Sequence, residues 1–336
     1  MAGIRRYCGL AEEASFGESP APAATVHLDI ASSTLDPPAD TNIIYDGGAR
    51  RTARIYRPGF YAPAGNIVYG LDIRTIGLFL RWALGSYKFT NAGGTGGLHL
   101  HEIYGTEDVL LPSFCSRVGK DLFEHVFSGC TMNSLEITVG DALCMATADI
   151  LAKKDSKAAL QTGTLLFPEE YPLAFHEATA FLIGTPDVEI SAKVKEFTLT
   201  INNNADAGQG RHIGNRHPGR IPVNDRETSL AMTLFFEDTD MLESLWGSET
   251  GPAATGSTEY GLKLKIDSGD YGSLLITMPK VINTSVNQAP SGRSEMTQPV
   301  NVRALMTELT LDDASTVEGE ILCSLENEET DMEPST

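Results

Sequence analysis

Apolar and polar residues alternate in short runs along most of this chain. TVHLDI (25–30), EFTLTI (196–201) and LKLKID (262–267) carry an apolar residue at every second position, and LHLHEI (98–103) begins the same way. That period marks strands with one face in a core and the other in water. Turn residues separate such runs at about ten-residue spacing, as in all-β domains. A helical period occurs in two places. Within 58–86, Ile73, Ile76, Leu80, Ala83 and Leu84 share one helical face; within 218–248, Met241, Leu242, Leu245 and Trp246 do so. Both segments stop at Gly-Ser, where Gly85 and Gly247 can adopt the left-handed conformation that ends a helix. Asp238 is the expected N-cap of the second helix.

The two helical segments belong to an internal repeat. PGFYAPAGNIVYGLDIRTIGLFLRWALGS (58–86) and PGRIPVNDRETSLAMTLFFEDTDMLESLWGS (218–248) both start at Pro-Gly, pass through a strand-like run and enter a short helix. TVHLDI and EFTLTI precede them, and LHLHEI and LKLKID follow them. SFCSRVG, GCTMNSLEITVG and ALCMATADIL then answer SLLITMP, KVINTSVNQ and VNVRALMTELTL. The offset drifts between roughly 150 and 170 residues, but the order of segments is kept. Each copy reads as about seven strands plus one helix, a β-sandwich.

GGLHLHEIYG (96–105) is the segment closest to chemistry. In a strand His99 and His101 project from one face, and Glu102 follows; some metal-binding barrels hold a divalent ion this way. The second copy places Lys263 and Lys265 at the matching positions, and lysine does not ordinarily ligate metal at neutral pH. A solvated strand face is therefore preferred over a metal site. No P-loop, nucleophile elbow, HExxH or EF-hand pattern is present. Five widely spaced cysteines without a CxxC pair indicate neither a zinc knuckle nor a disulfide framework. Neither catalytic residues nor a cofactor is expected.

Charge narrows the partners. The net charge of −20 opposes a grip on nucleic-acid phosphates. Ten acids and no Lys or Arg lie in 307–336, and the end of that segment reads as a flexible acidic tail. No apolar run is long enough to insert into a membrane, and the N-terminus lacks a secretory h-region, so a cytoplasmic origin is expected. Two loops run against the acidic trend. DGGARRTARIYRPG (46–59) holds Arg50, Arg51, Arg54 and Arg57, and ADAGQGRHIGNRHPGR (205–220) holds Arg211, Arg216 and Arg220. Solvated loops are the bland reading; on a strongly acidic molecule, such loops are drawn to another copy of the same chain.

Four segments carry a resemblance: GLAEEASFGESPAP near the N-terminus, PSFCSRVGKDLFEHVFSGCTMNSLEITV (112–139), VKEFTLTINNNADAG (194–208) and RIPVNDRETSLAMTLFFED (220–238). Together they resemble the major tail tube proteins of long-tailed (siphovirus-type) phages, in the version with two tube domains per chain. The resemblance implies a mainly β chain of two tandem tail-tube-type β-sandwich domains, each flanked by a short α-helix. The first would span 1–175 with an N-terminal arm at 1–24, the second 176–315, and an acidic tail 316–336. It implies a structural virion protein, not an enzyme, assembled in the host cytoplasm. Three chains would make a pseudo-hexameric ring, and stacked rings a hollow tail for genome delivery. Double-stranded DNA would pass through without specific binding. Tape-measure, tail-tip or baseplate and tail-terminator proteins would be the other partners, and the seven arginines named above would lie in inter-ring contact loops. The alternatives from other classes are a cupin-like metal enzyme using His99 and His101, and a capsid-decorating or receptor-binding sandwich that does not polymerise.

Overall fold

The computed structural model describes residues 6–38, 41–45, 53–90, 97–161, 165, 167, 172–289 and 295–329, and the chain is mainly β. Alternating runs build one large antiparallel sheet. Its strands, numbered in chain order, are β1 (Ile30–Ser33), β2 (Ala64–Gly70), β3 (Glu124–Val139), β4 (Met145–Leu151), β5 (Val194–Asn202), β6 (Glu227–Phe235), β7 (Ser273–Val286) and β8 (Thr297–Ala304). Hydrogen-bonded neighbours run β1-β2-β4-β3-β5-β6-β8-β7. The order 1-2-4-3 of the first copy thus recurs as 5-6-8-7 in the second. The two meet where β3 pairs with β5, from Ser134 opposite Asn202 to Val139 opposite Phe197.

The long strands β3 and β7 each serve two sheets. The first part of β3 pairs with Phe114–Gly119 and Lys154–Ala158. The first part of β7 pairs with Tyr260–Asp267 and Leu322–Asn327. Each copy lays its helix on its long strand, α1 (Ile76–Leu84) on β3 and α2 (Asp240–Trp246) on β7. A strand that changes sheets must bend, and β3 does so at Gly129, where φ is 65° and the register with Phe114–Gly119 shifts. Glu13 fastens this corner. Its carboxylate accepts the Gly129 N–H at 2.9 and 3.1 Å, the Gly17 N–H at 2.9 Å and the Ser113 hydroxyl at 2.9 Å. Glu12 beside it accepts from Arg81 Nη2 at 3.0 Å and Trp82 Nε1 at 3.3 Å on α1. The paired acids of GLAEEASFG therefore tie the N-terminal strand to the corner and to the helix.

Helix α1 is buried on nearly every side, with Phe79 stacked on Tyr69 at 4.7 Å and Trp82 on Phe114 at 4.1 Å. On α2, Met241 is buried while Leu242, Leu245 and Trp246 are half-buried. Gly85 and Gly247 end the helices with positive φ, 91° and 73°. The expected cap Asp238 lies one residue early: Thr239 is the N-cap, while the Asp238 carboxylate accepts the Asp240 N–H at 3.2 Å and pairs with Lys193.

Residues 322–327, expected in a flexible acidic tail, form an internal strand. Leu322–Asn327 lies between β7 and His99–Gly105, with Cys323 and Leu325 fully buried and the Asn327 amide donating to Ile73 C=O at 3.1 Å. Its one acid, Glu326, and Glu328 just after it are exposed while the apolar side chains turn inward, which is how a charged segment can still be core. Strand pairing therefore joins the copies a second time, and their buried apolar residues form one continuous cluster.

All five cysteines are free and buried; burial pushes the Cys8 and Cys115 thiols up to about 12 and Cys144 to about 11. Thiolate is the reactive form, so the native protein is expected to resist alkylation and to label at all five positions only after denaturation. Mass spectrometry after iodoacetamide treatment checks this; rapid native labelling at any of the five would contradict it.

Candidate assembly surfaces

The strand order leaves two open edges. Among the described residues, β1 pairs only with β2, and residues 282–286 of β7 have β8 as their only neighbouring strand. On the open side of β7 the Ser257 hydroxyl donates to Asn283 C=O at 3.3 Å. On β1 the Thr34 N–H is bonded to Asn66 C=O at 2.9 Å, so antiparallel alternation turns the Ser33 N–H and C=O away from β2. Ser257 thus covers the edge at Asn283, and the Ser33 N–H and C=O together with residues 284–286 of β7 are a template for a further strand.

The face of the large sheet turned away from the core carries carboxylates and hydroxyls. Glu136, Asp149, Glu196 and Glu227 lie there among Thr138, Thr147, Thr198, Thr200 and Thr233, on the side opposite Leu135, Ala148, Leu199 and Leu230. Arg303 shares this face and is paired with Glu227 at 2.9 Å. Sequence reading found the strands but not this surface, although its signal was the polar half of the same alternation.

The two basic segments come together at the end of the sheet where β2 begins and β5 stops. Thr41–Tyr45 and Ala53–Pro58 form a separate two-stranded hairpin with Ile43 opposite Tyr56. Arg50 and Arg51 lie outside the described residues; Arg54 is in the second hairpin strand, and Arg57 is exposed. The second segment docks at the hairpin's base. Arg216 Nε donates to Gly59 C=O at 3.0 Å, the Tyr61 N–H donates to Arg216 C=O at 2.8 Å, and the guanidinium lies 5.4 Å from the Tyr61 ring centre. His217 meets the same ring edge-on at 5.4 Å. The Tyr61 hydroxyl donates to Asp155 at 2.6 Å; burial and that carboxylate push it up to about 12. Gly210 permits the second loop to close, since a Cβ there would sit 1.7 Å from Arg220 C=O. Arg211, Arg216 and Arg220 are exposed, and an open groove of about 640 Å³ runs between Asn42, Pro58, Arg211 and Arg216.

The solvated-strand expectation for His99 and His101 is overturned at His101, which is fully buried. The phase is the reverse of the one expected. His101 and Ile103 face the main core, while Glu102 and Tyr104 face Thr307–Thr310 and Thr316–Gly319, with Glu102 accepting the Asp312 N–H at 2.8 Å. His101 Nε2 donates to Glu329 C=O at 3.0 Å, which leaves Nδ1 to accept the Tyr87 hydroxyl at 2.9 Å. Both ring nitrogens are then used within the protein. Among the described residues no group of three or more His, Cys, Asp or Glu is placed to hold a metal ion. Lys263 and Lys265, at the matching positions, do reach solvent and pair with Asp187 and Asp267, each at 2.6 Å. Among the described residues no helix is long and apolar enough to cross a membrane.

Comparison with known proteins bears on what these surfaces do. A family model described as phage tail tube protein matches residues 3–304, nearly the whole chain. No curated protein matches it.

Proposed function

This chain belongs to the phage tail tube protein family, and on that premise we propose that its copies join edge strand to edge strand into rings that stack as the hollow tube of a long-tailed phage. The observation that carries the reading is the sheet order 1-2-4-3-5-6-8-7 with open edges at β1 and β7. Within one chain, β3 of the first copy already pairs with β5 at the start of the second. The equivalent step from β7 to the β1 of another chain repeats that contact between molecules, and head-to-tail repetition closes a ring. Two similar halves, 1–175 and 176–315, then occupy alternate positions, so three chains give a pseudo-hexameric ring. Closure also removes the exposed edges.

In such a ring the polar face of the sheet lines the lumen. Glu136, Asp149 and Glu196 would repel phosphates, and Arg303 on this face is already paired with Glu227, so double-stranded DNA passes without specific binding. The role is structural and the location is the virion tail, reached by assembly in the host cytoplasm. Tape-measure, tail-tip or baseplate and tail-terminator proteins are the remaining partners. Native mass spectrometry over a concentration series tests the ring. Three chains are expected in the smallest closed species; a chain monomeric at every concentration, or closed as a dimer, would overturn it.

The basic segments belong to the contact between rings. Replacing Arg50, Arg51 and Arg54 by glutamate is expected to block tube growth while the circular dichroism spectrum and melting temperature stay near those of the parent. Arg57→Glu, Arg211→Glu, Arg216→Glu and Arg220→Glu should act in the same direction. Normal growth, followed by light scattering, would contradict the assignment.

A further inference from the structure

We infer that the cleft between the start of β1, the end of β2 and the turn into α1 binds a primary alkylammonium, the end of a short free diamine. The two copies of the repeat differ at this corner. β1 and β5 hold the same place in the repeat, and each carries a register shift just after its first residue, between Ile30 and Ser32 and between Val194 and Glu196. Ile30 lies opposite Tyr69 and Val194 opposite Leu234, so Asp29 corresponds to Lys193 and Tyr69 to Leu234. The turns into the helices match as well. The Asp72 carboxylate accepts the Arg74 N–H at 2.8 Å, and Thr75 is the N-cap of α1. The Asp238 carboxylate accepts the Asp240 N–H at 3.2 Å, and Thr239 is the N-cap of α2.

In the second copy the corner is complete within the chain. Lys193 pairs with Asp238, the Thr239 hydroxyl donates to Glu243, and Leu234 brings no side-chain polar atom. In the first copy Asp29 takes the place of the lysine, and a cleft of about 380 Å³ runs between Asp29 and Asp72. Tyr69 and Thr75 line it, each 1% exposed, and neither hydroxyl has a hydrogen-bond partner. Buried hydroxyls are rarely left so. Burial, and then the Asp72 carboxylate, push the Tyr69 hydroxyl well above its ordinary range, so it stays neutral.

The first copy therefore lacks an internal ammonium and has gained acceptors around its place. An ammonium carries three N–H donors and no acceptor, which suits one carboxylate and two hydroxyls. Leu28 and Met145 give the cleft apolar walls, against which a methylene chain can lie as a lysine stem does. Asp29 is exposed at the mouth and attracts the second cationic end. The site differs from a metal site in that its walls offer carbon where a divalent ion would need six or more oxygens.

Calorimetric titration and thermal melts of the full chain with 1,4-diaminobutane test the site. Butane-1,4-diol is the uncharged control, and sodium chloride at matched ionic strength controls for screening of an acidic chain. Saturable one-to-one binding is expected, with a rise in melting temperature that neither control gives. Asp29→Lys rebuilds the arrangement of the second copy; it should melt above the parent and lose the response to the diamine. Tyr69→Phe keeps the ring stacked on Phe79 and should weaken binding about tenfold. No saturable binding to the parent would overturn the inference. An equal response in Asp29→Lys would do so too, because it would mark screening of surface charge alone. If Asp29→Lys does not fold, Asp29→Asn decides: weaker binding is expected, and unchanged affinity would overturn the site.

Discussion

Replacing Ser33 by proline is expected to yield a folded chain that forms neither rings nor tubes. The reason is the direction of one backbone N–H. Thr34 donates to Asn66 and Asp36 donates to Ala64, so the N–H of Ser33 points to the open side of β1 and serves no bond within its own sheet. Proline removes that donor and places its ring on the edge, where another strand would have to approach. Within the chain the loss is small: the 3.3 Å bond from the Leu35 N–H to the Ser33 hydroxyl disappears, and the melting temperature should move by no more than about 2 °C. Ser33→Ala, which keeps the N–H, should assemble like the parent. Size-exclusion chromatography with light scattering reads both variants, and tubes from Ser33→Pro would show that β1 is not an assembly edge.

Glu13→Ala is expected to have the largest effect on the fold itself. It strips acceptors from the N–H groups of Gly17 and Gly129 and from the Ser113 hydroxyl, at a corner closed to water. Leaving two buried backbone donors unpaired costs about 2–6 kcal/mol. Loss of the corner also frees β3 to straighten, and β3 carries α1 and the junction with β5. Glu13→Gln keeps one oxygen but turns an NH₂ toward one of these donors, so it should fall between Ala and the parent. The pH dependence has a definite sign. Burial raises the Glu13 carboxyl above its ordinary range, so the folded state holds the proton more tightly than the unfolded one. The contribution of this group to stability is therefore greatest at acid pH and declines as pH rises through the raised value. Thermal melts of parent and Glu13→Gln at several pH values check this, and a difference that grows in the opposite direction would contradict it.

Much of the architecture could be read from alternation alone. The apolar positions of β5, β6 and the later half of β3, both helices and their glycine stops lie where the periodicity puts them. Ile73, expected on the first helical face, instead sits in the turn before α1, and α1 is buried on nearly every side rather than on one. Periodicity says which residues share a face, but not which strands are neighbours. The pairing of β3 with β5 is set by packing between the copies, and with it the polar face and the open edges stayed hidden. His101 shows a second limit. LHLHEI is compatible with either phase when both faces of a strand are covered, and here the outer cover comes from Thr307–Thr310 and Thr316–Gly319, some two hundred residues downstream. The strand Leu322–Asn327 was obscured by the acids in and after it, of which Glu326 sits on one face while Cys323 and Leu325 reach the core from the other. The basic loops were legible as charge; their contact through Arg216 and Gly59 was not.

The central claim is that copies of this chain close edge to edge and stack. Negative-stain electron microscopy of the purified full chain, concentrated and incubated for days, tests it most directly. Regularly striated hollow tubes whose end-on views show threefold or pseudo-sixfold rings are the predicted result. A field of small discrete particles at every concentration and time would contradict the claim.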